Sequence, residues 1–272
     1  MLVLACGRRP NPTLPGGRDR ILEYMKRHLK MYEFFMAEWV FQLLAKSDNR
    51  NLLEVEAGLS DYCDCLLIVL ESESTYAELG AFAIQDKLAE NMLVVNDRGF
   101  EREESFISMG PIDRVDRLSR FGPTIYVDPD CILRAAPEIV ARLQSAQPKK
   151  GTGFRVSDAE SFAGLEPKIR MLLLLDMIAL FHPVSHKEII HILKCVFGGG
   201  KYEVILDLHM LEALHLVRRI DDYYVRETEE RKLFFRYPSL RQVRVRSDVL
   251  NHYHKYARVR TGILESKLKS ES

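Results

Sequence analysis

The stretch from Glu56 to Gly80, EAGLSDYCDCLLIVLESESTYAELG, decides the fold. Its centre, Cys65 to Leu70 (CLLIVL), is an unbroken apolar run of strand length. Such runs mark strands covered on both faces, because a strand with one wet face would alternate. Small polar residues follow, and from Thr75 to Leu88 the apolar residues take up helical spacing. Strand, loop, helix is the first half of a βαβ unit.

The same alternation extends outward. Met1 to Cys6 reads as a buried strand closed by Gly7, with Pro/Gly-rich sequence through Gly17. Asp19 to Lys46 has the apolar spacing of one long helix, and Leu52 to Leu59 reads as another. Met92 to Val95 and Ile125 to Val127 are two more short strands. The expectation is an α/β fold, a Rossmann-like parallel sheet flanked by helices.

Around QPKKGTGFRVS, residues 147 to 157, the pattern lapses into a linker, so residues 1–146 and 158–272 read as two domains. In the second, Leu165 to Leu180 is an apolar helix broken by His182-Pro183. Ser185 stands as an N-cap before HKEIIHILKCVF, with Glu188 completing a capping box. Lys201 to Val217 reads as a third helix, and Tyr223 to Val225 and Lys232 to Tyr237 as strands around the turn RETEER. Three helices and a hairpin give the order of a winged helix. A basic helix over Ser239 to Lys267 ends the chain.

The formal charge of zero excludes a global basic field. Yet from Arg231 to Arg260 nine Lys or Arg face a single acid, Asp248. Within this tail Arg241, Arg244, Arg246, Lys255, Arg258 and Arg260, interleaved with Tyr253 and Tyr256, suit a phosphate backbone or a partner; the plainer reading is a solvated amphipathic helix. Five cysteines without a CxxC pair fit free thiols in a cytoplasmic protein. No apolar run reaches the roughly 18–20 residues of a membrane span. The histidines do not form a metal set: Pro183 interrupts His182 and His186, and His252 and His254 diverge on a helix.

In open parallel sheets ligands bind outside the carboxyl ends of the strands. Ser72, Ser74 and Thr75, at a helix start, suit a phosphate. Glu71 ends the strand beside them, and Glu78 lies in the first turns of the helix. Taken alone, Glu78 is a glutamate favoured there by the helix dipole.

Glu56, Asp64, CLLIVL, Glu71-Ser72 and Glu78-Leu79-Gly80-Ala81-Phe82 together resemble the nucleoside deoxyribosyltransferases, and more closely the deoxyribosyltransferase-like effectors of bacterial retrons. Ala5-Cys6-Gly7, Val95-Asn96-Asp97, Ser105-Phe106-Ile107 and Gly110-Pro111 extend the resemblance over residues 1 to 140. It implies a glutamate nucleophile at Glu78, with Glu71 and Glu56 positioning sugar hydroxyls. Cys6, Gly7, Ser72, Ser74, Thr75, Asn96 and Asp97 would contact substrate. It further implies cleavage of the N-glycosidic bond of NAD or a related nucleotide, with no cofactor and no metal. The retron's reverse transcriptase and branched DNA–RNA would be partners, and a homo-oligomer would fit, because the transferases complete their site from a second subunit. Two departures stand out. The transferases have Asp where this chain has Ser72, and the retron effectors have Pro where it has Leu70; both favour hydrolysis over base exchange. The alternatives are a deoxyribosyltransferase and a non-catalytic nucleic-acid-binding regulator.

Overall fold

The computed structural model describes residues 1–9, 11, 13–28, 32–44, 58–146, 161–227, 233–235, 237 and 241–271. The chain divides into two compact units, Met1–Lys150 and Gly151–Ser272.

The first unit opens with β1 (Leu2–Cys6), α1 (Gly17–His28), β2 (Glu33–Phe35) and α2 (Ala37–Leu44). After a short 3-10 turn come β3 (Cys65–Val69), α3 (Glu73–Ala83), α4 (Asp86–Ala89) and β4 (Met92–Asp97). Then follow α5 (Asp113–Leu118), β5 (Ile125–Val127) and α6 (Ala136–Ser145). The five strands are parallel, in the order β2-β1-β3-β4-β5. β1 and β3 are buried along their whole length, and β4 up to Asn96, because both faces are covered. Val3, Ala5, Cys65, Leu67, Val69, Leu93 and Val95 join Ile21, Leu22, Met25, Ile139 and Leu143 of α1 and α6 in one core. The alternate residues Leu4, Leu66 and Ile68, on the opposite face, are buried too.

One expectation needs correction. The helix read over Asp19 to Lys46 is α1, β2 and α2. The apolar spacing continues through Tyr32, Phe35 and Met36, but Glu33–Phe35 is an edge strand: Leu2, Val3 and Leu4 pair with Glu33, Phe34 and Phe35. Aromatic residues suit a pleated, half-covered surface, and pairing with β1 overrides the local helical period. The helix over Thr75 to Leu88 likewise divides into α3 and α4 at Ile84-Gln85. Most of the helix read over Leu52 to Leu59, and residues 147–157, lie outside the described residues.

The second unit runs α7 (Pro167–Phe181), β6 (Val184–Ser185), α8 (His186–Phe197), α9 (Ile205–Ala213), β7 (Val217–Ile220) and β8 (Tyr223–Arg226). It ends in α10 (Gln242–Tyr256) and α11 (Arg258–Glu271). The strands form a small antiparallel sheet, β6-β8-β7. α7 is buried on nearly every side because α8, α9, α10 and β8 all pack on it. Ser185 caps α8 as expected, with its N–H and hydroxyl donating to Glu188 Oε2 at 2.9 and 2.7 Å.

The hairpin is misplaced in the sequence reading. The helix read over Lys201 to Val217 stops at Ala213. His215 takes a left-handed conformation (φ 54°), and the Leu216 N–H turns back to the Leu211 carbonyl at 3.0 Å. Val217–Ile220 then pairs with β8 across the two-residue turn Asp221-Asp222. Of the strand read at Lys232 to Tyr237, the described residues form none. Instead the buried Asp176 of α7 holds this segment: its carboxylate accepts the Phe234 N–H at 2.8 Å, the Phe235 N–H at 3.0 Å and the Tyr237 hydroxyl at 3.0 Å. The basic helix expected at the end is two helices, α10 and α11, divided at Ala257.

Asp176→Ala leaves two backbone donors and a phenol without their acceptor at a site 1% exposed. Urea denaturation should show a loss of about 2–4 kcal/mol.

Candidate active site

The progression of strands reverses between β1 and β3, and in such sheets the crevice outside that point is where ligands bind. Gly7 follows β1 there, and Leu70-Glu71 follows β3. Glu71 reaches across to the start of α1. Its Oε1 accepts the N–H groups of Arg8 at 2.9 Å and Arg18 at 3.1 Å, and its Oε2 accepts that of Gly17 at 2.5 Å. The carboxylate thus takes the amide groups that a helix N-terminus leaves unpaired. Gly7 is required by this approach, since a Cβ there would lie 2.4 Å from Arg18 Cβ and 2.9 Å from Glu71 Oε1.

Arg18 is the cation at the centre of the cluster, only 1% exposed. Its guanidinium donates to Glu38 Oε1 at 2.8 Å, to the Arg8 carbonyl at 2.8 Å and to Asp19 Oδ1 at 3.3 Å. Burial works against this charge, but Glu38 and Asp19 outweigh it and push the pKa up. Glu78, on α3, faces the same cluster. Burial first and the Glu38 carboxylate second raise its pKa to about 7, against the opposing pull of Arg18 and a hydrogen bond with Cys6. Among the described residues its Oε2 is buried with no hydrogen-bond partner. A carboxyl group poised near neutrality beside a fixed cation can work as a base, a nucleophile or an acid.

Next to this cluster opens a crevice of about 400 Å³ above the ends of β3, β4 and β5. Its lining includes Gly17, Glu71, Ser72, Glu73, Tyr76, Asn96, Asp97 and Phe100, but not Glu78. On α3, Tyr76 and Glu78 stand about 200° apart around the axis, on opposite sides of the buried stripe that carries Leu79. The helix therefore presents Tyr76 to the crevice and Glu78 to Arg18 and Glu38. Burial, then Asp97 and Glu103, push the Tyr76 phenol pKa up, so it stays a neutral donor.

The other residues singled out from the sequence fall into three groups. Ser72, Asn96 and Asp97 line the crevice, and Asn96 Oδ1 accepts the Asp97 N–H at 2.9 Å. Thr75 is fully buried, and its hydroxyl donates to the Ser72 carbonyl at 2.6 Å and accepts the N–H groups of Glu71 and Ser72. It therefore shapes the loop and does not face a ligand. Ser74 is exposed, with its hydroxyl 3.0 Å from that of Ser72. Cys6 is buried against Glu78. Glu56 lies outside the described residues. Among the described residues no group of three His, Cys, Asp or Glu is gathered to hold a metal.

In the second unit the basic residues separate likewise. Arg241, Arg244, Lys255 and Arg258 are exposed. Arg246 instead donates to the His182 carbonyl at 2.6 Å, and Arg260 to Glu188 at 2.6 Å while stacking over Tyr253 and Tyr223. Both are internal fasteners.

Sequence reading missed Arg18, Glu38 and Tyr76. Arg18 sits where a Pro/Gly-rich loop gives way to helix, and Glu38 was hidden inside a helix read as continuous. A buried Arg cannot be told from a surface one by spacing.

The model of the STM3845 retron effector protein family matches residues 16–221, three quarters of the chain. The chain belongs to that family. This retron effector is 39% identical over 122 residues to a protein of Escherichia coli named "Retron Ec73 putative ribosyltransferase/DNA-binding protein". It is 26% identical over 95 residues to the corresponding retron Ec86 protein of the same organism. These matches take in 43% and 35% of the chain, and span only 39% and 31% of the relatives' own lengths. No helix among the described residues is long and apolar enough to cross a membrane.

The raised pKa of Glu78 has a stability consequence. The folded chain holds this proton more tightly than the unfolded one, so its contribution is full below about pH 4.5 and is lost as pH rises through about 7. Glu78→Gln should therefore gain stability relative to the parent as pH rises through this window. At pH 8 the gain should be about 1–2 kcal/mol, discounted for partial exposure, by denaturation in parallel buffers.

Proposed function

We propose that this retron effector cleaves the N-glycosidic bond of a nucleotide, with NAD the first substrate to test. The observation that carries this reading is Glu78, a half-buried carboxyl with a pKa of about 7 beside Arg18 and Glu38 at the carboxyl ends of a parallel sheet. The names of the two relatives support the same class of chemistry. In the forward step the Glu78 carboxylate approaches the anomeric carbon. The carbon–nitrogen bond breaks with its electron pair leaving on the base, and the sugar's positive charge is stabilised or captured as an ester. Water then attacks the anomeric carbon, regenerates Glu78 and loses a proton to solvent. A cationic base such as nicotinamide leaves without protonation, so the step needs no strong acid. A free base in place of water would give exchange, the deoxyribosyltransferase outcome. Arg18 opposes the burial that would hold Glu78 neutral, and the crevice lined by Tyr76, Phe100 and Asn96 offers stacking and hydrogen bonds to a heterocycle.

The domain reading belongs with this proposal: a catalytic domain followed by a winged-helix-like one. The order helix, strand, helix, helix, hairpin in the second unit supports it. The exposed Arg241, Arg244, Lys255 and Arg258 are the surface we assign to the retron's branched DNA–RNA and reverse transcriptase, which would restrain the activity until infection. One observation favours a second reading, a nucleotide sensor without turnover: Glu78 does not line the 400 Å³ crevice.

Nucleotide profiling of cells expressing the parent beside Glu78→Gln separates these. One nucleotide pool should fall by at least tenfold with the parent, its free base should rise, and the variant should be silent. An unchanged pool with nucleotide bound equally by both proteins supports the sensor. With purified protein, a nucleophilic Glu78 must be ionised, so the rate should climb with pH and level off above about 7.

A further inference from the structure

We infer that Glu71 is a built-in anion at the N-terminus of α1: it fills the place where sheets of this class take a phosphate, so a nucleotide must lay its phosphates elsewhere on the site. Three observations converge. The first is occupancy. A helix N-terminus after the first strand binds phosphate through unpaired amide groups. Here the amides of Arg8, Gly17 and Arg18 all donate to the Glu71 carboxylate.

The second is space. A Cβ on Gly7, Gly16 or Gly17 would stand 2.9, 3.0 or 3.1 Å from a Glu71 oxygen, so the loop is folded tightly round the carboxylate. The third is charge. The adjoining cation, Arg18, is 1% exposed and is already shared between Glu38 and Asp19. The crevice beyond carries Glu71, Glu73 and Asp97 on its wall and, among the described residues, no Lys or Arg in its lining. This potential repels a phosphate and favours a neutral or cationic heterocycle and its sugar.

Glu71 is then a positioning and specificity residue, both of its oxygens already engaged by backbone donors. It fixes the start of α1, which carries Arg18, and through Arg18 the surroundings of Glu78. For substrate choice the inference rests on the N-glycosidase reading, but its test needs no turnover. The full-length Glu71→Ala protein should melt below the parent, and sodium formate should restore much of the difference compared with sodium chloride at equal ionic strength. Formate should leave the parent unmoved.

In amide spectra inorganic phosphate should shift Gly17 and Arg18 saturably in Glu71→Ala and leave them in place in the parent. Saturable phosphate shifts of these amides in the parent, or a Glu71→Ala protein that melts with the parent and ignores formate, would overturn the inference. Should Glu71→Ala fail to fold, Glu71→Gln keeps an acceptor of the same shape. Its Gly17 amide should then exchange with solvent at least tenfold faster than the parent's, and unchanged protection would count equally against the proposal. Loss of turnover in the parent with formate rescue intact would sink the enzymatic reading alone.

Discussion

The first unit hangs on one carboxylate. Glu71 leaves the end of β3, the middle strand of the sheet, and closes on the first amides of α1, so the β1–α1 loop is fixed from both ends. Hydrogen bonds from backbone amides to an ionised group, at the positive end of a helix, are among the stronger polar contacts a protein makes. Arg18 follows from it. Its backbone is held by Glu71, and its side chain is thereby delivered into the interior to meet Glu38.

Two glutamates seven residues apart have been given opposite environments. Glu71 is surrounded by donors, whereas among the described residues Glu78 has one buried oxygen without any, a like charge near it, and Arg18 and Cys6 in its favour. The contrast is one of environment: backbone donors surround one carboxylate, and burial beside a like charge raises the pKa of the other. Glu71 organises the loop, whereas Glu78 turns toward Arg18 and Glu38.

The strands β1, β3, β4 and β5 were legible because parallel strands buried on both faces write continuous apolar runs. The Ser185–Glu188 cap was legible because capping is local chemistry. β2 was not, since Tyr32, Phe35 and Met36 sit at spacings that also suit a helix and pairing with β1 decides between them. The hairpin was misread for a similar reason: His215 and Asp221 adopt positive φ in a stretch with no glycine to announce a turn. Glu71 and Glu78 were singled out by position along the chain, but the neighbours each one meets could not be. Direction of approach, toward α1 for one and toward Arg18 for the other, is a property of the folded sheet.

Arg246 and Arg260 give the C-terminal helices a particular physical character. By spending two cations on carbonyl groups and Glu188 inside the unit, the chain fastens α10 to the end of α7 and α11 to the start of α8. The outward residues Arg241, Arg244, Lys255 and Arg258 therefore ride on a backbone whose freedom was surrendered during folding. A polyanion meeting that face would not have to order it, and its binding would be governed by counterion release rather than by the entropy of a folding tail.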